Sequence, residues 1–338
     1  MCIREIKGEA VPVKHIVFLD YLRAIACVMV ITIHVSANYV VYGKGVYWDI
    51  GNFFDGYSRV CVPLFFMISG YFFFNDKQPQ TKHFLKVIYA LLFYSLFALF
   101  VSWMMQFWLK IHVGSNWLQT PAYYHLWYLY RILLIYACAV LVCSRQLNGK
   151  HLLMMFLVFF ILCNPALNAI SKLLGLNTKH FLQIDGSFFY FLLYAVFGGI
   201  LARMHISAKQ AKWLQWIGFS GFVVFGGLIV SLTHYTQPAT PFYDYVSPLV
   251  ALAVMGLFVG FQASESKLKT RSWVSLISKN SLAIYGVHAP LLSIAFLGLQ
   301  FQHWHPLYTV PLMVVLILVC SLAVSLVIKR LDKYGWVS

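Results

Sequence analysis

The chain has 338 residues, of which 61% are hydrophobic and only 10% charged, too few charges to cover the surface of a soluble protein of that length. Its formal charge of +15 raises nucleic-acid binding, but the basic residues are scattered through short connections rather than gathered on one face. What is left is an all-α, polytopic transmembrane helix bundle, because apolar runs of about 20 residues, enough to span a bilayer, recur along the chain.

The hydropathy pattern predicts about ten spans, near 17–40, 57–75, 84–108, 123–144, 152–170, 187–204, 213–234, 245–262, 273–297 and 307–328. The opening MCIREIKGEAVPVKH lacks a small-residue cleavage site, so the first span is expected to be retained. The whole chain, 1–338, then reads as one integral-membrane domain with tails at 1–15 and 329–338. Alternate connections differ sharply in charge. One set holds 19 basic residues, among them Arg4, Lys7, Lys14, Lys77, Lys82, Lys86 and the Lys267–Lys279 group, and the other holds five, Lys44, Arg59, Lys110, Lys172 and Lys179. Basic loops stay inside, so both termini are expected to be cytoplasmic. The outside loops, about 41–56, 109–122, 171–186 and 235–244, carry aromatic residues, either interfacial anchors or stacking surfaces for a sugar. Seven cysteines lie almost all inside apolar runs without CxxC spacing, which reads as small buried hydrophobes and gives no support for a metal.

Span 1, IVFLDYLRAIACVMVITIHVSANYV, carries Asp20, Arg23 and His34 through a stretch otherwise made for lipid. Ionisable side chains there are expensive and face protein or a wet cavity. Arg23 and His34 are eleven residues apart, about three turns, so they share a face with roughly 16 Å between them along the axis. Arg23 is either a positive-inside anchor or a functional cation, and His34 either an interhelical hydrogen-bonding group or a working imidazole.

Three further clusters follow. SRVCVPLFFMISGYFFFND (58–76) holds Pro63, Ser69 and Gly70, for which close helix packing is the default, and Arg59, placed to meet an anionic group. YYHLWYLYRI (123–132) puts His125 near the outer surface and Arg131 about two turns deeper. ISKNSLAIYGVHAPLL (277–292) sets His288 nine residues beyond Lys279, roughly 13 Å deep by helical rise. That depth matches His34, which points to a common polar cavity.

In combination, LDYLRAIACVMVITIH, FFMISGYFF, YHLWYL and SLAIYGVHAP resemble the integral-membrane acyltransferase family, acyltransferase 3, over most of the chain. The family's basic residue and histidine separated by ten positions are matched by Arg23 and His34. Within the family the match is to the type that O-acetylates the amino sugars of enterobacterial common antigen, through SRVCVPLFFMISGYFFF, YYHLWY and IYGVHA. Many relatives carry an Arg-x-x-Arg pair after span 2; here the loop reads TKHFLK, so Lys82 and Lys86 would meet donor phosphates as point charges without a bidentate fork.

The resemblance implies acetyl-CoA as co-substrate, no tightly bound cofactor, and a cell-surface glycan or lipid-linked oligosaccharide as acceptor, in a protein of the inner (plasma) membrane. It implies His34 as general base or transient acyl carrier, with Arg23, oriented by Asp20, on the donor. Arg59, Ser69, His125, Trp127, Arg131, Tyr285 and His288 are then expected to line the cavity or the acceptor site. A transporter or flippase for a lipid-linked substrate is the rival reading, since it too needs polar groups in mid-membrane.

Overall fold

The computed structural model describes residues 15–75, 79–109, 121–141, 187–236 and 241–337. The described residues form helices and turns alone: α1 (Val17–Tyr42), α2 (Val46–Ser58), α3 (Cys61–Phe73), α4 (Thr81–Leu109), α5 (Trp127–Leu141), α6 (Ser187–Ala202), α7 (Ala208–Thr236), α8 (Pro248–Gln262), α9 (Ser272–Lys279), α10 (Ser281–Leu299) and α11 (Pro306–Leu331). Five of them, α1, α4, α7, α10 and α11, are long and apolar enough to cross a membrane. The chain is a polytopic helix bundle, as the hydropathy pattern predicts; the expected span at 152–170 lies outside the described residues.

α1 is the axis of the bundle, packed against α2, α3, α8, α9, α10 and α11. Its first turn is held from another part of the chain. The Glu265 carboxylate accepts the backbone N–H groups of Val17 and Phe18 at 3.1 and 2.7 Å, satisfying two of the orphan donors that every helix start leaves. That fixes α1 along its axis and so sets the height of Arg23 and His34.

α3 and α6 touch backbone to backbone. A Cβ on Gly70 would stand 1.8 Å from the Ala195 carbonyl oxygen, and one on Gly198 would stand 2.0 Å from that of Met67. Small residues allow this approach, which is the principal source of helix affinity inside lipid. Gly70→Leu is expected to force the pair apart and to lower the yield and thermal midpoint of detergent-purified protein sharply; an unchanged midpoint would contradict it.

Three boundaries differ from the hydropathy reading. The expected outside loop 41–56 contains helix α2, reached by a tight turn in which Gly45 adopts φ +54°. The expected span 57–75 begins later, at Cys61, after a turn at Arg59 and Val60. The span at 273–297 is broken at Asn280, whose side chain donates back to the Leu276 carbonyl at 2.7 Å. Pro63 sits in the first turn of α3, where its missing N–H costs nothing. At the other end, α11 runs through Leu331, three residues into the expected tail; beyond it the Asp332 carboxylate accepts the N–H groups of Trp336 and Val337, and Tyr94 donates to Val337.

α2 escapes a hydropathy scan because its buried polar residues are matched only in three dimensions. Asn52 donates to the Val230 carbonyl on α7 at 3.0 Å and accepts from the Tyr243 hydroxyl. Asp55 is fully buried, accepts from Arg59 Nε at 2.5 Å and from the Ser36 hydroxyl of α1 at 3.3 Å, and so ties α1, α2 and the α2–α3 turn together.

Candidate active site

Helical spacing on α1 builds the site. Arg23, Cys27, Val30 and His34 follow one another at intervals of four, three and four, a single stripe on the inner face. On α10 the series Ser281, Tyr285, His288, Leu292 and Phe296 makes a matching stripe. Where the two stripes meet, the His34 and His288 rings stack with centroids 5.2 Å apart and planes 28° apart. His125, from the single 3-10 turn that leads into α5, stands edge-on to His288 at 5.0 Å. Three imidazoles distant in sequence are thus neighbours.

Hydrogen bonds fix two of these rings. His288 Nδ1 lies 2.7 Å from the Tyr285 carbonyl and therefore carries its proton there; His125 Nε2 lies 3.3 Å from the Gly286 carbonyl and does the same. The opposite nitrogens, His288 Nε2 and His125 Nδ1, are buried acceptors without a partner among the described residues. The Tyr285 hydroxyl donates to the His125 carbonyl. The donors of Tyr285, His125 and His288 are therefore engaged by backbone, which leaves these side chains as fixed walls rather than oxyanion donors.

Three cavities adjoin in series. The first, of about 340 Å³, lies toward the end of the bundle that carries the basic loops, and Arg23, His83, Lys86 and Lys279 stand in its lining beside Ser69, Ser278, Tyr128 and Tyr136. The second, of about 20 Å³, is enclosed by His34, His125, Trp127, Cys61, Val62 and Tyr285, with Val30, Ile33 and Tyr245. The third, of about 540 Å³, is bounded by His34, Asn38, Tyr123, Tyr124 and Ser293 among apolar side chains. Among the described residues, Tyr285 is the wall common to the first and second, and His34 the wall common to the second and third.

The expected residues divide accordingly. Arg23, Ser69 and Lys86 line the first cavity, Trp127, His125 and Tyr285 the second, and His288 backs the cluster from a fully buried position. Asp20 lies behind Arg23, its carboxylate 3.6 Å from the guanidinium, and also accepts from the Ser278 hydroxyl at 2.7 Å and meets His15 at 2.7 Å. Lys82 is exposed in the first turn of α4 and is not in the lining; the cavity has Lys279 and His83 instead. Arg59 is absent from all three linings. It pairs with Asp55 and lies over the Tyr243 ring at 4.4 Å, so its anion is internal. Arg131 is half-buried on α5 and falls outside the lining, which takes Leu129 and, along one stripe, Tyr128, Ile132 and Tyr136 from that helix. Those three are spaced by four, the pattern that could have singled them out.

A family model described as an acyltransferase domain matches residues 16–330. The chain belongs to the acyltransferase 3 family. No curated protein and no solved structure matches it. Membership makes the bundle a membrane acyltransferase and sets aside the reading as a transporter without chemistry of its own. The match extends from the start of α1 to the end of α11, so the stripe that carries Arg23 and His34 and the stripe that carries Tyr285 and His288 both lie within the acyltransferase domain.

Proposed function

We propose that this acyltransferase moves an acetyl group from cytoplasmic acetyl-CoA to a hydroxyl of an exported or lipid-linked cell-surface glycan, with the amino sugars of enterobacterial common antigen the first acceptor to try. The observation that carries the reading is the serial arrangement of cavities, with His34 on the boundary of the last two. A polyanionic donor suits the first cavity, whose lining sets Arg23, His83, Lys86 and Lys279 among serine, aromatic and aliphatic side chains. A sugar suits the third, where Asn38, Ser293 and the Tyr123 and Tyr124 rings offer polar groups beside stacking faces.

In this account the pantetheine arm extends through the first cavity and brings the thioester past the edge of Tyr285. The acceptor hydroxyl enters from the third. His34 takes the hydroxyl proton as the oxygen attacks the thioester carbon; the carbon–sulfur bond then breaks, and the imidazolium returns the proton to the departing coenzyme A sulfur. The stacked His288 ring holds His34 in this orientation and touches neither substrate. Arg23 and Lys86 hold the donor, with Asp20 positioning Arg23.

Lys86 and Lys82 separate donor binding from general surface charge. Lys86→Ala is expected to raise the KM for acetyl-CoA about 10- to 100-fold, the cost of one charge-assisted contact, while exposed Lys82→Ala changes it by no more than about twofold. Steady-state kinetics on purified protein with acetyl-CoA and an extracted glycan fraction would decide this. Equal effects from the two lysines would remove the first cavity from donor binding, and no release of coenzyme A with any glycan would overturn the reading itself.

A further inference from the structure

We infer that the small cavity beside His34 is the acyl pocket and that its size restricts the enzyme to the acetyl group. The inference rests on the transfer reading above and adds the residues that select the length of the acyl group. The cavity measures about 20 Å³, on a scale where about 10–15 Å³ is one water-sized probe sphere. That is room for a methyl group and little beyond it.

Its position suits that role. His34 borders it on one side, so a carbonyl whose methyl occupies the cavity lies within reach of a hydroxyl entering from the outer cavity. Tyr285 forms the side shared with the first cavity, past whose edge the acyl group enters, and its hydroxyl is tied to the His125 carbonyl. The floor is Cys61 and Val62, the first two residues of α3, and Cys61 is fully buried. The turn that sets these two residues in place contains Arg59, anchored by the buried Asp55. Walls held by a backbone-directed hydrogen bond, a helix start and an internal ion pair do not swell to admit a longer chain; close-packed interiors resist even one added methylene.

The test compares acetyl-CoA, propionyl-CoA and butyryl-CoA as donors to the same glycan, using the purified full chain. For the unaltered protein kcat/KM for propionyl transfer is expected to be about 10- to 200-fold below that for acetyl, the range a single methylene commands in an apolar pocket. Val62→Ala is expected to narrow that ratio by about 10-fold, and Ile33→Val, a gentler change on the facing wall, to narrow it in the same direction. Because the two donors are compared in one preparation, loss of folded protein cancels from the ratio, and Ile33→Val serves if Val62→Ala does not fold. An unaltered protein that transfers propionyl and acetyl equally would overturn the acyl pocket while leaving transfer intact. A ratio unmoved in active variants would overturn it as well. Failure to transfer from any of the three donors would overturn the reading beneath it.

Discussion

Replacing His34 with alanine is expected to lower kcat for acetyl transfer by about 10²- to 10⁴-fold, the usual contribution of a positioned general base, while leaving the KM for acetyl-CoA unchanged. The separation follows from geometry. His34 borders the second and third cavities but not the first, so its loss removes the proton acceptor without disturbing the donor's phosphates. Arg23→Ala should show the reverse pattern, a raised KM, since Arg23 lines the first cavity alone. His288→Ala removes only the ring stacked on His34 at 5.2 Å, and a smaller fall in kcat is expected from a freer base. Size-exclusion profile and thermal midpoint of the His34 variant should match the parent, because a half-buried ring at a cavity wall carries little of the core. A His34→Ala protein with parental kcat would remove His34 from the chemistry.

The second large effect is on stability. Asp55→Ala leaves the Arg59 guanidinium without its counter-ion, and removing one partner of a buried pair costs about 3–5 kcal/mol. The loss should be visible as a lower midpoint of thermal unfolding in detergent. Replacing both residues with apolar groups of similar shape is expected to recover much of it, since the desolvation of two charges is then avoided. If Asp55→Ala and the double replacement gave the same midpoint as the parent, the pair would be doing nothing for the α2–α3 turn. Activity offers a second readout. The turn sets Cys61 and Val62 against the small cavity, so the single variant should also transfer acetyl more slowly in the protein that survives purification.

Arg23, His34, Tyr285 and His288 are legible because α1 and α10 are regular helices over the relevant turns, and similar depths along two helices that run the same way bring His34 and His288 to one level. The grouping of His34 with His288 needed no tertiary information beyond the direction of the two spans. The sequence places His125 near the outer surface and among the cavity-lining candidates; it joins the cluster from the 3-10 turn before α5, where its ring meets Gly286 and Tyr285. The sequence places Arg59 to meet an anionic group and among the cavity-lining candidates; its anion is the internal Asp55. The break after Ser58 brings Asp55 within one turn of it, an i, i+4 pairing that is visible in the sequence once α2 is recognised as a helix.

The rest depended on contacts between distant segments. Helix α2 reads as an aromatic, polar loop because Asn52 and Asp55 find their partners on α1, on α7 and in the turn before α8. Lys82 and Lys86 share one helix face, yet only Lys86 reaches the cavity, since α4 begins at Thr81 and leaves Lys82 in its first, exposed turn. Lys279 enters the lining because Asn280 breaks the last-but-one span and turns the end of α9 toward the cavity mouth. A hydropathy scan has no access to such a break.

In the proposed reaction an acetyl group passes through the bundle, from a donor on the basic side to an acceptor on the other, by way of His34. Proteoliposomes of uniform orientation test it most directly, with labelled acetyl-CoA on one face and the glycan acceptor on the opposite face. The account predicts label in the glycan when acetyl-CoA is on the side of Lys86 and Lys279 and the acceptor is on the side of Tyr123 and Tyr124, and none when the two are exchanged. Label that appears only when donor and acceptor share one face would contradict transfer through the cavities in series.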